Sequence, residues 1–291
     1  MAGQTKSQIR RLLAGANLVP QHRFGQNFLI DLNLMRKLVA AAEVDSADTV
    51  LEVGAGTGSL TEMLLDAGPR VVTVEIDHGL QAMLRERLHD QQRLTLIQGD
   101  ALSGKHHINP LVLSVLAEQP PRENGAYKLV ANLPYQIATP LLVDLLTVVP
   151  RFARLVCTVQ REVGERLASA PRVASYGPVS VIIQSLASVR LLAIIPGTAF
   201  WPRPKIESVM LEVHPLAPAS IEIDDVPGFV AFVHEGFQQR RKMLRRLFRD
   251  WDELSARAVF QRAGVSPDAR PAELGPRDWR DLFREVQRRR V

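Results

Sequence analysis

The residues Leu51-Glu-Val-Gly54-Ala-Gly56-Thr-Gly58-Ser-Leu-Thr61 point most directly to chemistry. They follow a β-branched run and open a helical pattern, the setting in which a glycine loop holds a nucleotide-like ligand. Glycine lets a backbone turn tightly and lets a ligand approach where a Cβ would intrude. The spacing is GxGxG, and Ser59 stands where a dinucleotide fingerprint needs its third glycine. Glu75 lies 21 residues after Gly54 and ends the next apolar run. That spacing suits a carboxylate accepting hydrogen bonds from ribose hydroxyls. Asp100, followed by Ala101, ends a third run and can meet the adenine end of the same ligand. No GxxxxGK[ST] is present and the loop has no basic residue, which counts against a phosphate-cradling nucleotidase. Taken alone, the loop leaves a structural tight turn open as the lesser alternative. Three such features at successive strand ends favour a ligand.

Two further segments mix residue types that core material does not. Asn132-Leu133-Pro134-Tyr135 ends a fourth apolar run and joins an amide, a rigid backbone and an exposed ring. It is either a reactive corner or a turn that closes a strand. Phe200-Trp-Pro-Arg-Pro-Lys205 interrupts two later runs. It is either an exposed aromatic able to clamp a flat ligand or a proline-rich turn around a core aromatic. Arg203 and Lys205 are candidate phosphate contacts.

The elements that position these residues alternate. Strands are expected at Thr49–Val53, Arg70–Glu75, Leu94–Gln98, Lys128–Ala131 and Leu155–Gln160. Helices are expected at Ser59–Asp66, His78–His89, Leu141–Val149 and Arg161–Ala168. Such alternation predicts an α/β fold with a mostly parallel, doubly wound sheet. Ser180–Leu192 and Ile206–His214 read as a hairpin-like pair added at the sheet edge, and Ser103–Gly125, with three prolines, as partly irregular. After a Pro-rich turn at 215–221 only helical periodicity remains. Phe229, Phe232, Val233 and Phe237 lie on one face, Met243, Leu244, Leu247 and Phe248 on another, and Leu274, Trp279 and Leu282 near a last. The expected domains are therefore 1–215 and 216–291, the second small and α-helical.

Of the 291 residues, 46% are hydrophobic and 23% charged, enough apolar material for a core and against disorder throughout. No run approaches the roughly 18 apolar residues of a membrane span. Met1–Arg11 is polar without the apolar stretch of a secretory signal. Cys157, the sole cysteine, reads as a small core residue in a buried strand and excludes a cysteine-rich zinc site. The His106-His107 pair reads as solvated, so no metal is expected. The net charge is +5, yet Val226–Val291 alone carries 15 Lys and Arg against 9 Asp and Glu. The basic excess lies in the C-terminal quarter and fits either a nucleic-acid partner or a solvated helical surface.

The GxGxG loop with its acidic partner resembles the S-adenosylmethionine-dependent methyltransferases. Asn132–Tyr135 resembles the (N/D/S)PPY motif of amino-methyltransferases, with Leu133 in place of the first proline. The residue types suit that chemistry, because the exocyclic N6 of adenine is a poor nucleophile whose lone pair is conjugated with the ring. Acceptors on its hydrogens, here the Asn132 side-chain oxygen and the Leu133 carbonyl, favour a more tetrahedral nitrogen. Pro134 stiffens the loop, and Tyr135 stacks on an extruded base. Phe200 is the candidate for the base's second face.

Taken in order, His22-Arg-Phe-Gly-Gln-Asn27-Phe-Leu29, LEVGAGTGSLT, Val74-Glu-Ile-Asp77, Gly99-Asp-Ala101, Asn132–Tyr135, Gln160-Arg-Glu-Val163, Tyr176-Gly177, Phe200-x-Pro-x-Pro204 and Phe237-Gln-Gln-Arg-Arg-Lys242 closely resemble the ribosomal RNA adenine N6,N6-dimethyltransferase family. The likeness runs over about residues 20–280. It implies a Rossmann-like class I methyltransferase domain with a small helical domain. It also implies Gln26, Asn27, Leu29, Gly54, Gly56, Glu75, Asp100, Ala101 and Asn132 around the methyl donor, and Arg240, Arg241 and Lys242 beside Arg203 and Lys205 on RNA. The related large-subunit rRNA enzymes share this core. Gly25 before Gln26-Asn27, the NLPY form and the basic tail favour the bacterial small-subunit branch. That branch implies dimethylation of two adjacent adenosines near the rRNA 3′ end and a part in ribosome biogenesis on a pre-ribosomal particle. A cytoplasmic location is the simplest reading of the single cysteine and the polar N-terminus, and a monomer is the default expectation. Three positions depart from the family's usual residues: Ala55 replaces Pro, Gln136 replaces Asn, and Arg246 replaces Asn.

Overall fold

A computed structural model describes residues 4–104, 107–147 and 151–290. His106 of the histidine pair and the end of the expected helix at Val148 and Val149 lie outside them. Chain contacts separate two units, Met1–Gly164 with Arg190–Pro215, and Glu165–Val189 with Leu216–Val291.

The first unit begins with α1 (Lys6–Gly15), closed by a capping box between Thr5 and Gln8. Its apolar face buries Ile9 and Leu13 with Phe28 and Leu80. A short strand, β1 (Phe28–Leu29), leads to α2 (Leu32–Ala41), whose free N–H groups at Asn33 and Leu34 are satisfied by the Asp31 carboxylate. The sheet then builds through β2 (Thr49–Val53), α3 (Ser59–Ala67), β3 (Arg70–Glu75), α4 (His78–Arg87), β4 (Leu94–Gln98), α5 (Pro110–Glu118), β5 (Tyr127–Asn132), α6 (Ala138–Leu145), β6 (Phe152–Gln160) and α7 (Arg161–Leu167). β2 is buried along its whole length, as expected of an inner parallel strand.

The seven-stranded sheet has the order β4-β3-β2-β5-β6-β9-β7, where β7 is Ala187–Ile195 and β9 is Ser208–Pro215. β4, β3, β2, β5 and β6 are mutually parallel, and β9 runs antiparallel to β6. The chain leaves β2 first toward β3 and β4 and later returns to its other side with β5 and β6. The order therefore reverses between β2 and β5, where open α/β sheets open a crevice at their strand ends. A two-residue strand, β8 (Phe200–Trp201), pairs antiparallel with β1 outside the main sheet.

The pair expected at the sheet edge is there: β9 lies beside β6, and β7 beside β9 is the last strand of the sheet. One expectation changes within it. Ser180–Leu186 is not strand: Pro178–Leu186 forms α8, which starts with Pro178 at its first turn and buries Val181, Ile182, Ile183 and Leu186. Its β-branched residues suggested a strand, and helix packing overrode that propensity. Within Ser103–Gly125, α5 forms because the Asn109 side chain accepts from Leu111 N and Pro110 occupies the first turn, where its missing N–H is not needed.

The second unit holds α8 together with α9 (Pro218–Ile221), α10 (Val226–Gln238), α11 (Glu253–Ala263) and α12 (Pro276–Arg290). The sequence places 165–189 with the first domain; contacts group it with the helices because α8 packs on α10 and α12. Phe229, Phe232, Val233 and Phe237 are all buried on α10. The rings of Phe232 and Phe237 meet the fully buried Trp279, which stacks on Phe237 at 5.6 Å and meets Phe232 edge-on at 5.7 Å. The expected helix around Met243–Phe248 is a single 3-10 segment, Leu244–Phe248. No helix among the described residues is long and apolar enough to cross a membrane.

Candidate active site

The glycine loop leaves β2 and the Asn132–Tyr135 segment leaves β5, the two strands that flank the reversal of strand order. Gly54, Gly56 and Gly58 all have positive φ, at 81°, 59° and 80°. Gly58 thereby turns the chain into α3, so the free N–H groups of the helix face the loop. The loop is also tied from behind, since Gly54 N donates to Val74 O at 2.8 Å. A Cβ at Gly56 would stand 3.0 Å from the Phe28 ring, and one at Gly54 would stand 3.3 Å from the Pro134 ring. The site needs these glycines for close packing as well as for backbone freedom.

A cleft of about 890 Å³, open to solvent, lies over these strand ends. It brings together eleven of the residues expected from sequence. Gln26, Asn27, Gly54, Gly56, Glu75, Asp100 and Ala101 line it, and so do Asn132, Leu133, Pro134 and Tyr135. Glu75 is 4% exposed, and burial pushes its carboxyl above the usual carboxylate range. Its two oxygens accept Gly56 N at 2.8 Å and Asp77 N at 2.9 Å. A carboxylate offers about four lone-pair sites, and with the N–H groups of Gly56, Asp77 and Ile76 on it some acceptor capacity remains for a ligand. Asp100 is exposed and accepts Leu102 N at 2.9 Å. Gln26 works as a brace: its amide donates to Asp77 Oδ2 at 2.9 Å and accepts Gln21 N at 2.7 Å. Asp77 in turn caps α4 through Gly79 N and Leu80 N.

The Asn132 amide is held at both ends. Its Nδ2 donates to the Asn27 carbonyl at 3.0 Å, and its Oδ1 accepts the Thr158 hydroxyl. Leu133 is buried and donates its N–H to the Thr158 carbonyl at 3.2 Å. The Tyr135 hydroxyl is hydrogen-bonded to Ser208 Oγ at 2.7 Å, and burial pushes its pKa up. Its ring is thus anchored at the far end as a neutral phenol.

Behind the loop, Glu52 is buried on β2 and accepts the Thr61 hydroxyl at 2.6 Å. Burial raises its pKa to about 7, with Glu75 adding like-charge repulsion.

Two expected residues stand apart. Phe200 is not an exposed clamp. It is 3% exposed in the core cluster with Leu29, Ile195 and Met210, because β8 pairs with β1 and turns its ring inward. The neighbouring Trp201 is partly exposed and stacks on Phe28 at 6.3 Å. The Leu29 side chain belongs to the same core and borders a smaller hollow behind the loop instead of the cleft. Arg203, Lys205, Arg240, Arg241 and Lys242 are all exposed. Among the described residues none of the five pairs with a carboxylate, and Arg240 donates to the Ala174 carbonyl at 2.9 Å.

Some lining residues are not among those expected from sequence. Ile76, 36% exposed, lies between Glu75 and Asp77 and offers an apolar face. Its sequence signal, an aliphatic residue just past the acidic strand end, was present. Phe24 and Arg23 also line the cleft, with the guanidinium 4.5 Å from the ring centroid. Gln136 lines it too, while Ala55 packs against Leu84 and Leu88. Among the described residues no group of three His, Cys, Asp or Glu is placed to hold a metal ion.

The donor set fits S-adenosylmethionine. Glu75 keeps acceptor capacity for ribose hydroxyls, Ile76 offers an apolar surface, and Asp100 an exposed acceptor. The loop itself carries no basic residue, which suits a ligand with no phosphate to neutralise.

A profile of the family described as ribosomal RNA adenine dimethylase matches residues 19–288. The ribosomal RNA small subunit methyltransferase A of Moorella thermoacetica is 36% identical over 97% of this chain and 98% of its own length. The protein of the same name in Phenylobacterium zucineum is 37% identical over 95% and 91%. In architecture the chain is similar to a dimethyladenosine transferase from Plasmodium falciparum, with a TM-score of 0.72 at 22% identity, covering 90% of this chain and 98% of that one. It is also similar to the 23S rRNA methyltransferase ErmE, with a TM-score of 0.65 at 24% identity, covering 90% and 100%. These two likenesses agree with the Rossmann-like α/β architecture described above. The chain belongs to the ribosomal RNA adenine dimethylase family, enzymes whose methyl donor is S-adenosylmethionine.

Proposed function

We propose that this chain transfers methyl groups to N6 of two adjacent adenosines near the 3′ end of small-subunit rRNA, giving N6,N6-dimethyladenosine during ribosome biogenesis. The observation that carries the reading is the shared cleft. Asn132–Tyr135 and the glycine loop with Glu75 open onto one space at the reversal between β2 and β5. The rRNA assignment draws on the relatives named for the small subunit, which match nearly end to end.

Each residue has a definable task. Glu75, Asp100, Asn27 and the loop backbone hold the methyl donor. S-adenosylmethionine supplies an electrophilic methyl group whose departure leaves an uncharged thioether. Among the described lining residues there is no histidine, cysteine, serine or lysine. None is needed, since no covalent intermediate on the protein is required. The acceptors are the remaining lone pair of Asn132 Oδ1 and the Leu133 carbonyl. They draw the N6 hydrogens and raise the nitrogen's nucleophilicity, and the proton that each methylated nitrogen sheds passes to solvent through the open cleft. Pro134 fixes the corner, and Tyr135, anchored at Ser208, offers a stacking surface for a base taken out of its stack. Catalysis is then positioning and electrostatics. The exposed cations at Arg203, Lys205 and Arg240–Lys242 contact phosphates and orient the RNA. The helical unit 216–291 contributes the second group of these, as an RNA-binding domain. The substrate is rRNA folded in a pre-ribosomal particle, met in the cytoplasm by a monomer.

The test combines purified protein, labelled S-adenosylmethionine and unmethylated small ribosomal subunits, read by nucleoside mass spectrometry. Dimethyladenosine at two adjacent 3′-end positions is expected. No transfer to the small subunit, with the donor still bound, would overturn the small-subunit assignment and direct the search to large-subunit rRNA or to assembly without catalysis.

A further inference from the structure

Thr158 is fully buried in β6 and is the direct register partner of Asn132 on β5. Its hydroxyl donates to Asn132 Oδ1, and its carbonyl accepts Leu133 N. Across the amide, Asn132 Nδ2 donates to the Asn27 carbonyl at 3.0 Å. A backbone carbonyl only accepts, so the NH₂ end of the amide must face Asn27 and the oxygen must face Thr158. Turned over, the amide would set its oxygen against that carbonyl. With the amide so placed, the Thr158 hydroxyl is the donor. An amide oxygen has two lone pairs. Thr158 takes one, and the other stays with a residue that lines the cleft.

We infer that Thr158 is a positioning residue for methyl transfer, its hydroxyl and the Asn27 carbonyl together locking the Asn132 amide so that one acceptor lone pair is presented to the target amine. The inference rests on the reading of Asn132 as the acceptor for that amine. A threonine serving only as strand packing makes a different prediction, because valine has nearly its shape and fills the same buried site.

The experiment compares Thr158→Val, Thr158→Ser, Asn132→Ala and the Thr158→Val/Asn132→Ala pair in the full chain. Readouts are single-turnover transfer to unmethylated small ribosomal subunits, donor affinity by calorimetry, and thermal unfolding. Thr158→Val is expected to slow transfer about tenfold, the scale of one lost hydrogen bond to a buried polar group. Donor affinity and unfolding temperature should stay near the parent's. Thr158→Ser, which keeps the hydroxyl, should recover most of the rate. In the Asn132→Ala background Thr158→Val should add nothing. Parent rate in Thr158→Val with slow Asn132→Ala overturns the inference and leaves the reading of Asn132 standing. Parent rate in Asn132→Ala overturns both. A Thr158→Val defect that serine does not rescue, or that persists without Asn132, makes Thr158 a packing residue and overturns the inference.

Discussion

Gly54 and Pro134 are packed so closely that a Cβ on Gly54 would stand 3.3 Å from the proline ring, and Gly54 also holds a φ of 81°. The first glycine of the donor loop and the third residue of the reactive corner therefore form one contact. Both crowding and a left-handed backbone act against any side chain there. Gly54→Ala should keep the fold but displace loop and corner together. Donor affinity and transfer rate should each fall at least about tenfold, which corresponds to about 1.4 kcal/mol. Calorimetry with the donor and a single-turnover assay on small subunits would separate the two. An alanine variant that binds the donor normally would show that the contact does not shape the donor site.

Glu52 gives a stability prediction with a definite pH window. Its folded pKa of about 7 lies above the ordinary 4.5, because burial disfavours the charged form. The folded state therefore binds this proton more tightly than the unfolded state. The penalty for ionised Glu52 is absent below about pH 4.5, grows as pH rises, and is complete above about pH 7. Glu52→Gln retains an acceptor for the Thr61 hydroxyl and removes the charge. At pH 8 it should be more stable than the parent by up to about 3 kcal/mol, an order-of-magnitude figure from roughly 1.4 kcal/mol per pKa unit. The difference should close as pH falls toward 4.5. Thermal unfolding of both proteins across that range measures it. A gap that does not vary with pH would assign the variant's effect to packing and not to ionisation.

Much of this site was legible before any coordinates. The parallel strands, the glycine loop, Glu75, Asp100 and Asn132–Tyr135 follow from short-range signals: β-branched runs, glycine spacing, and polar residues at strand ends. What escaped the sequence depends on partners distant along the chain. Thr158 looked like one more buried strand residue, since its pairing with Asn132 exists only once β5 and β6 lie side by side. Phe200, standing among prolines, reads from sequence as either an exposed clamp or a core aromatic, and only the pairing of β8 with β1 places it in the core. Ser180–Leu186 looked like strand because Val181, Ile182 and Ile183 are β-branched, and packing against α10 and α12 decided for helix. Gln26 lines the cleft where it is expected, and what sequence spacing does not show is that its amide also braces Asp77, the cap of α4.

Gly236 tests the helical unit by a change that ordinarily stabilises. Glycine in a helix interior is about 1 kcal/mol less favourable than alanine. Here a Cβ would stand 2.4 Å from the Trp279 ring, which is fully buried and stacked on Phe237. The clash outweighs the propensity gain, so Gly236→Ala should destabilise by about 1–3 kcal/mol. Urea unfolding followed by tryptophan fluorescence would report it. A variant as stable as the parent would mean that the indole shifts without loss, and that α10 and α12 are less tightly fixed than the packing indicates.

The exposed cations make a prediction about RNA in two parts. Arg203, Lys205, Arg240, Arg241 and Lys242 lack carboxylate partners among the described residues, so neutralising them on RNA breaks no ion pair described in the fold. If all five meet phosphates, affinity for small-subunit rRNA should fall on the order of a hundredfold between about 50 and about 200 mM salt. Replacing Arg241 and Lys242 together with alanine should weaken binding and flatten the plot of log affinity against log salt by about 1.5. Donor affinity should not change, because neither residue lines the cleft. Filter binding over a salt series gives both slopes. Equal slopes for parent and double variant would remove Arg241 and Lys242 from the RNA contact and leave their charge as a solvated helical surface.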